Sequence, residues 1–131
     1  MIKETLLTLQ FLFASPAEWS CLAKNIYFEA RNQSTAGQIA VSHVVMNRVK
    51  SPRYPNTICG VVEQGLTSRW WKKEHGKTVM LKNKCQFSWY CDGLSDEPKE
   101  PTTWKNALIV AKDAYTPVSY THLTLPTTPY V

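Results

Sequence analysis

The run Cys21-Leu22-Ala23-Lys24-Asn25-Ile26-Tyr27-Phe28-Glu29-Ala30-Arg31 constrains the fold most, because it reads as an amphipathic helix with a carboxylate set into its apolar stripe. Leu22, Ile26 and Glu29 are spaced four and three apart and share a face, with Tyr27 and Ala30 beside it. A glutamate at that place is expected to point toward the packed side of the helix. Burial without a cationic partner disfavours the charged form, so such a carboxyl keeps its proton toward neutral pH. The same spacing also fits a boundary glutamate that reaches solvent or pairs with a Lys or Arg. Upstream, Ser15 suits the N-cap, Pro16 the first helical position and Glu18 the capping-box return. The helix is therefore expected over 16–31.

Asn32-Gln33-Ser34 breaks it, and Thr35-Ala36-Gly37-Gln38 opens a second helix with another capping box. Ile39, Val41, Val44, Val45, Met46 and Val49 make this helix apolar on nearly all sides, the mark of a buried central helix. Arg48 is expected to ion-pair near the domain edge, and Ser51-Pro52 stops the helix. Asn56 or Thr57 caps a short helix through about residue 64. The stretch 66–84 reads as irregular, with Trp70 and Trp71 among lysines; these rings either stack on a sugar face or one of them lids the core. Residues 85–90 alternate like a strand, and Asp92-Gly93 signals a turn. Thr102 or Thr103 caps a last helix whose apolar face is Trp104, Leu108, Ala111 and Tyr115.

A chain of 131 residues is one domain by length. Its net charge of +5 is uneven: Arg69, Lys72, Lys73, Lys77, Lys82 and Lys84 face the single acid Glu74. Such a stretch favours an anionic partner, whether nucleic acid, membrane surface or envelope polymer, or is a solvated basic loop. Cys21, Cys59, Cys85 and Cys91 allow three pairings, and Cys59 with Cys85 is the expected one, with Cys91 held close around the strand and turn. No C-x-x-C pair or H-E-x-x-H run is present, His43 reads as a packed core histidine and His75 stands in a Lys-rich loop. No metal and no cofactor are expected.

The two ends differ from the middle. Residues 1–15 are apolar around Leu6, Leu7, Leu9, Phe11, Leu12 and Phe13, yet too short and interrupted for a membrane span. They read as a docked helix or a weak signal-like segment. From residue 117 the chain turns rich in Ser, Thr and Pro without helical or strand period. Val118-Ser119-Tyr120-Thr121-His122-Leu123 resembles the translated end of a transposon adapter used in sequencing libraries. Residues 117–131 are thus expected to be a foreign tail, and His122 to have no part in any mechanism.

Several blocks in order carry a resemblance. Leu22-Ala23-x-Asn25-Ile26-Tyr27-x-Glu29-Ala30-Arg31 is followed by Gly37-Gln38-Ile39-Ala40-Val41, Val45-x-Asn47-Arg48-Val49, Pro55-Asn56-Thr57 and Gly60-Val61-Val62. Cys85-Gln86-Phe87-Ser88-Trp89-x-Cys91-Asp92-Gly93 is a further block. Together they resemble the cell wall hydrolase family typified by SleB, the spore cortex-lytic enzyme, which also occurs among bacteriophage lysins. The resemblance implies an α+β, mainly α, lysozyme-like single domain with a buried central helix and a small strand or hairpin element. It also implies that 16–116 is a catalytic domain lacking its C-terminal segment. The activity it implies is cleavage of peptidoglycan glycan strands between N-acetylmuramic acid and N-acetylglucosamine, by a muramidase or a lytic transglycosylase.

Glu29 falls on the position the family uses as its catalytic glutamate. Glycosidic cleavage needs a proton delivered to the departing oxygen, which a neutral carboxyl supplies. Tyr27, Gln86, Ser88 and Trp89 are the expected substrate-binding residues; the other reading of 85–91 is a structural hairpin clipped by Cys85 and Cys91. Glu63, Glu74 and Asp92 are candidates for a second carboxylate, and none sits in an evidently paired position. Expected partners are peptidoglycan strands alone, without nucleic acid or a transmembrane segment, and the chain is expected to be a monomer. Action is expected at the bacterial wall, reached by secretion or as a lysin made in a phage host's cytoplasm. The rival readings are an amidase cutting the muramoyl–alanine bond, and a non-catalytic wall- or nucleic-acid-binding module.

Overall fold

The structure, a computed structural model, describes residues 15–115. The docked helix expected over 1–15 and the foreign tail expected over 117–131 lie outside the described residues. Helix α1 (Pro16–Ala30) is followed by α2 (Thr35–Lys50) and the short α3 (Ile58–Val62). A two-stranded antiparallel sheet, β1 (Gly65–Thr67) and β2 (Met80–Cys85), carries α4 (Arg69–His75) between its strands. A 3-10 turn (Ser88–Cys91) and the long α5 (Pro101–Tyr115) complete the described chain. The architecture is mainly α with one small sheet, as the sequence predicts.

Local signals explain most boundaries. Ser15 accepts the Glu18 backbone N–H at 3.2 Å and Pro16 opens α1, so this helix starts where expected. Thr57 caps α3 through the Gly60 N–H at 3.0 Å. For α2 the cap is Ser34, which accepts from the Gly37 N–H at 3.3 Å, one residue before the expected start. Gln38 instead donates its side-chain amide to the Ala30 carbonyl at 3.3 Å, a second bond to an oxygen that already accepts the Gln33 N–H at 3.0 Å, and ties α2 to the end of α1. The last helix begins at Pro101 rather than Thr102 or Thr103, and Glu100 accepts the first turn's Trp104 N–H at 2.9 Å.

The central helix is α1, not α2. Leu22, Ala23, Asn25, Ile26, Tyr27 and Ala30 are all buried, and α1 packs on α2, α3 and α5 together. The buried face of α2 instead holds Gln38, Ser42 and His43 beside Val45 and Met46, while Ile39, Val41, Val44 and Val49 are half-buried. Apolar content on all sides of α2 misleads because Gln38, Ser42 and His43 take up much of its buried face, and of its four valines only Val45 is fully buried. The core is Leu22, Ile26, Tyr27, Val45, Met46, Ile58, Val61, Val62, Trp89 and Val110 with four alanines of α1 and α5. Of the face expected for α5, Ala111 is buried and Trp104, Leu108 and Tyr115 pack at its margin. Trp19 spans to this helix, its indole N–H donating to the Leu108 carbonyl at 2.9 Å.

Glu18 does not return to its own helix. Its carboxylate crosses to α3, accepting the Ile58 N–H at 2.6 Å and the Cys59 N–H at 3.3 Å. One side chain of α1 thus satisfies two orphan donors of another helix, next to the Cys21–Cys59 disulfide that joins the same pair. Glu18→Ala should therefore cost about 2 kcal/mol, more than an exposed glutamate, through a lost charge-assisted cap. The urea midpoint should fall with an unchanged slope; a midpoint within error of wild type would show the cap to be idle.

The disulfides are Cys21–Cys59 and Cys85–Cys91, so the expected Cys59–Cys85 pairing is wrong. Cys59 is drawn to α1 by α3, whereas Cys85 ends β2 and meets the 3-10 turn that follows it. The strand expected over 85–90 is likewise displaced: pairing runs over Met80–Cys85, and Ser88–Cys91 is the turn that brings Cys91 back to Cys85. At the foot of the hairpin a Cβ on Gly65 would stand 2.7 Å from both Cys85 Sγ and Met80 Cε. Only glycine lets the strands close there.

Candidate active site

Glu29 lies near the C-terminal end of α1 and is exposed, which corrects the expectation of a side chain turned into the core. The buried stripe centres on Ala23, Ile26 and Ala30, and Glu29 stands about a quarter-turn away on the side of Asn25. Leu22 and Ile26 are sealed in the core and form no pocket around it. Enough protein nevertheless crowds the carboxyl that desolvation raises its pKa above 4.5, with burial the sole cause. No side-chain hydrogen bond or ion pair holds it among the described residues. The result is a protonatable carboxyl at a water-accessible edge of the fold.

Aromatic packing defines what adjoins it. Phe28, the preceding residue, stacks on Trp89 with centroids 4.8 Å apart and planes at 19°. Trp89 is buried, and its indole N–H donates to Asn25 Oδ1 at 2.9 Å, one helical turn before Glu29. These two contacts clamp the 3-10 turn onto the Glu29 side of α1. Gln86 and Ser88 flank Trp89 as exposed residues. Beneath them, the Arg48 guanidinium lies over the rings of Tyr54 (5.1 Å) and Phe87 (5.4 Å). Arg48 thus supports this segment by cation–π contact instead of the expected ion pair.

Tyr27 is placed differently from the other expected binding residues. It is 1% exposed, and its hydroxyl accepts the backbone N–H groups of Lys99 and Glu100, each at 3.2 Å. Arg31 donates to the same oxygen at 3.3 Å and pairs with Glu100 at 3.6 Å. Tyr27 therefore anchors the entry to α5, away from Gln86 and Ser88.

Among the carboxylates, Glu74 lies out on α4, and Asp92 accepts the Leu94 N–H at 2.8 Å. Glu63 is raised in pKa by burial, against the pull of Lys24 and with Glu18 adding. Asp96, which no sequence motif singles out, is raised in pKa by burial and by Asp92, again opposed by Lys24. Both influence Tyr90, and both answer to Lys24 on α1, whereas among the described residues no carboxylate shifts Glu29. Asn25 was also passed over as a site residue. Its place within an otherwise apolar stripe was the available signal, and its buried Nδ2 has no hydrogen-bond partner among the described residues. His43 is buried on α2, where burial and then Lys50 lower its pKa, and His75 lies against Trp70 and Trp71 on α4.

Comparison with known proteins shows the family. The family model described as Cell Wall Hydrolase matches residues 32–124, and the chain belongs to that family. The match begins just after α1 and so does not include Glu29. The spore cortex-lytic enzyme of Bacillus subtilis is 42% identical over 45 residues, covering 34% of this chain and 15% of that protein. Those of Halalkalibacterium halodurans and Bacillus cereus are 40% identical over 45 residues and 44% over 41. They cover 34% and 31% of this chain and 14% and 16% of their own lengths, so the shared stretch is a small part of each relative. No solved structure matches the chain significantly.

Proposed function

We propose that the chain cleaves peptidoglycan glycan strands between N-acetylmuramic acid and N-acetylglucosamine, with Glu29 as the proton donor. The observation that carries this reading is an accessible carboxyl, raised in pKa by burial alone, in a member of the cell wall hydrolase family. Gln86 and Ser88 offer exposed amide and hydroxyl groups for the N-acetyl substituents, on a segment clamped by Trp89. Trp89 and Tyr27 act from beneath, by holding the turn and the start of α5.

The reaction that suits a solitary carboxyl is lytic transglycosylation. Glu29 gives its proton to the departing glycosidic oxygen as the bond to C1 of the muramic acid breaks. The 6-hydroxyl of that sugar then closes on C1, and its proton returns to Glu29. No water is consumed and a 1,6-anhydro end results. A retaining hydrolase would instead place a second carboxylate about 5 Å away, where its charge would add to the rise in the pKa of Glu29. Among the described residues no carboxylate adds to the rise in the pKa of Glu29, which supports the one-carboxylate reading.

Borohydride treatment of the products distinguishes the two chemistries. Anhydro ends carry no hemiacetal and should resist reduction, with fragments lighter by one water than hydrolytic products. Quantitative reduction of new muramic ends would replace transglycosylation with hydrolysis.

A further inference from the structure

The hairpin arm is the part of the fold that neither core nor candidate site uses. No residue of α4 is buried, and Trp70 and Trp71 are 58% and 38% exposed, so neither lids the core. Ser68 caps this helix by accepting from the Trp71 N–H at 3.2 Å, and Gly76 closes it at a φ of 63°. The rings are held in a cluster: Trp70 meets Trp71 edge-on at 5.0 Å, and His75 lies 5.4 and 4.8 Å from them. The segment 69–84 that carries them holds Arg69, Lys72, Lys73, Lys77, Lys82 and Lys84 against Glu74, a net of +5 that equals the charge of the whole chain. Two tryptophans ordered in water add little to stability, and a clustered exposed pair marks a contact surface.

We infer that this arm is a second contact for peptidoglycan, in which Trp70 and Trp71 stack on sugar rings while the surrounding cations engage stem-peptide carboxylates. The inference rests on the glycan-cleaving reading above and extends it to how the polymer is held. The arm is tied to the candidate site by the Cys85–Cys91 disulfide and by the Gln86 N–H donating to the Gln64 carbonyl at 2.9 Å. A strand crossing Gln86 and Ser88 thus continues onto the arm. Charge selects an anionic polymer. A lipid surface fits less well, because Lys73 and Glu74 lie three and four residues after Trp70 on its own face of α4. Lowering that ring into hydrocarbon would carry both charges with it. Leu66 and Leu81, exposed on the strands, offer apolar ground for N-acetyl methyl groups.

The test is co-sedimentation of the full chain with purified sacculi freed of lipid and attached polymers, in a Glu29→Gln background that leaves the wall intact. Adding Trp70→Ala with Trp71→Ala, or separately Lys72→Gln, Lys73→Gln and Lys77→Gln, should weaken binding about tenfold or more. Raising salt to about 0.5 M should weaken the parent chain too. Trp70→Tyr with Trp71→Tyr keeps flat rings and should retain most binding, which separates ring contact from loss of the arm's fold. Undiminished sedimentation of both the alanine and the glutamine variants would overturn the inference. So would a loss of binding confined to anionic vesicles or to walls that retain their attached polymers. A chain that sediments through the arm yet never cleaves would leave this inference standing and remove the proposed function instead.

Discussion

Glu29→Gln should slow lysis of purified cell walls by about 10²–10⁴-fold, the usual worth of a positioned general acid. The amide has nearly the same shape but no proton to give, and Glu29 makes no hydrogen bond or ion pair among the described residues whose loss would weaken the fold. Thermal unfolding and sedimentation with sacculi should be nearly unchanged. The pH dependence follows from the direction of the shift. A pKa raised above 4.5 keeps the acid form present to higher pH, so the rate should fall on an alkaline limb displaced above the ordinary glutamate range. The same shift acts on folding. Between the unfolded and the raised folded pKa the native chain holds more protons, so ionisation of Glu29 lowers stability as pH rises through that window. The glutamine variant should lose both the limb and the slope; a mutant that lyses walls at the parental rate would remove Glu29 from the chemistry.

Loss of the Cys21–Cys59 bridge should cost more stability than loss of the other disulfide. It joins α1 to α3 across a separation of 38 residues, and closing a loop of that size is worth about 4 kcal/mol in the chain-entropy account. The Cys85–Cys91 bridge closes only 6 residues, for about 2 kcal/mol. Paired serine variants compared by urea unfolding should rank in that order. Removing Cys85–Cys91 should also free the arm from the turn, so sedimentation with sacculi should weaken before the core does. A reversed ranking would mean that strain or denatured-state structure outweighs loop length.

How much of this was legible follows from where residues meet the core. α1 and α3 were readable because Ser15, Pro16 and Thr57 are local signals that act within a few residues. The segment 65–85 was not, because period is a record of burial and neither α4 nor the strands bury a regular face. Ser68 and Gly76 did mark both ends of α4, and there composition outweighed the caps. Glu29 was legible as a functional candidate but not in its setting. Spacing placed it on the stripe with Leu22 and Ile26, while packing of Ala23, Ile26 and Ala30 against neighbouring helices moved the stripe's centre away. The crossing of Glu18 to α3, the Trp89–Asn25 bond and the Cys21–Cys59 disulfide join residues 38 to 64 positions apart. No local pattern encodes such contacts; tertiary packing decides them.

Mass analysis of the fragments released from purified sacculi tests the central claim most directly. The parent chain should release disaccharide-peptide units with their muramoyl–alanine bonds intact and 1,6-anhydromuramic ends, and the Glu29→Gln chain should release almost none. Free stem peptides with unbroken glycan strands, or equal release by both chains, would contradict the assignment of Glu29 to glycan cleavage.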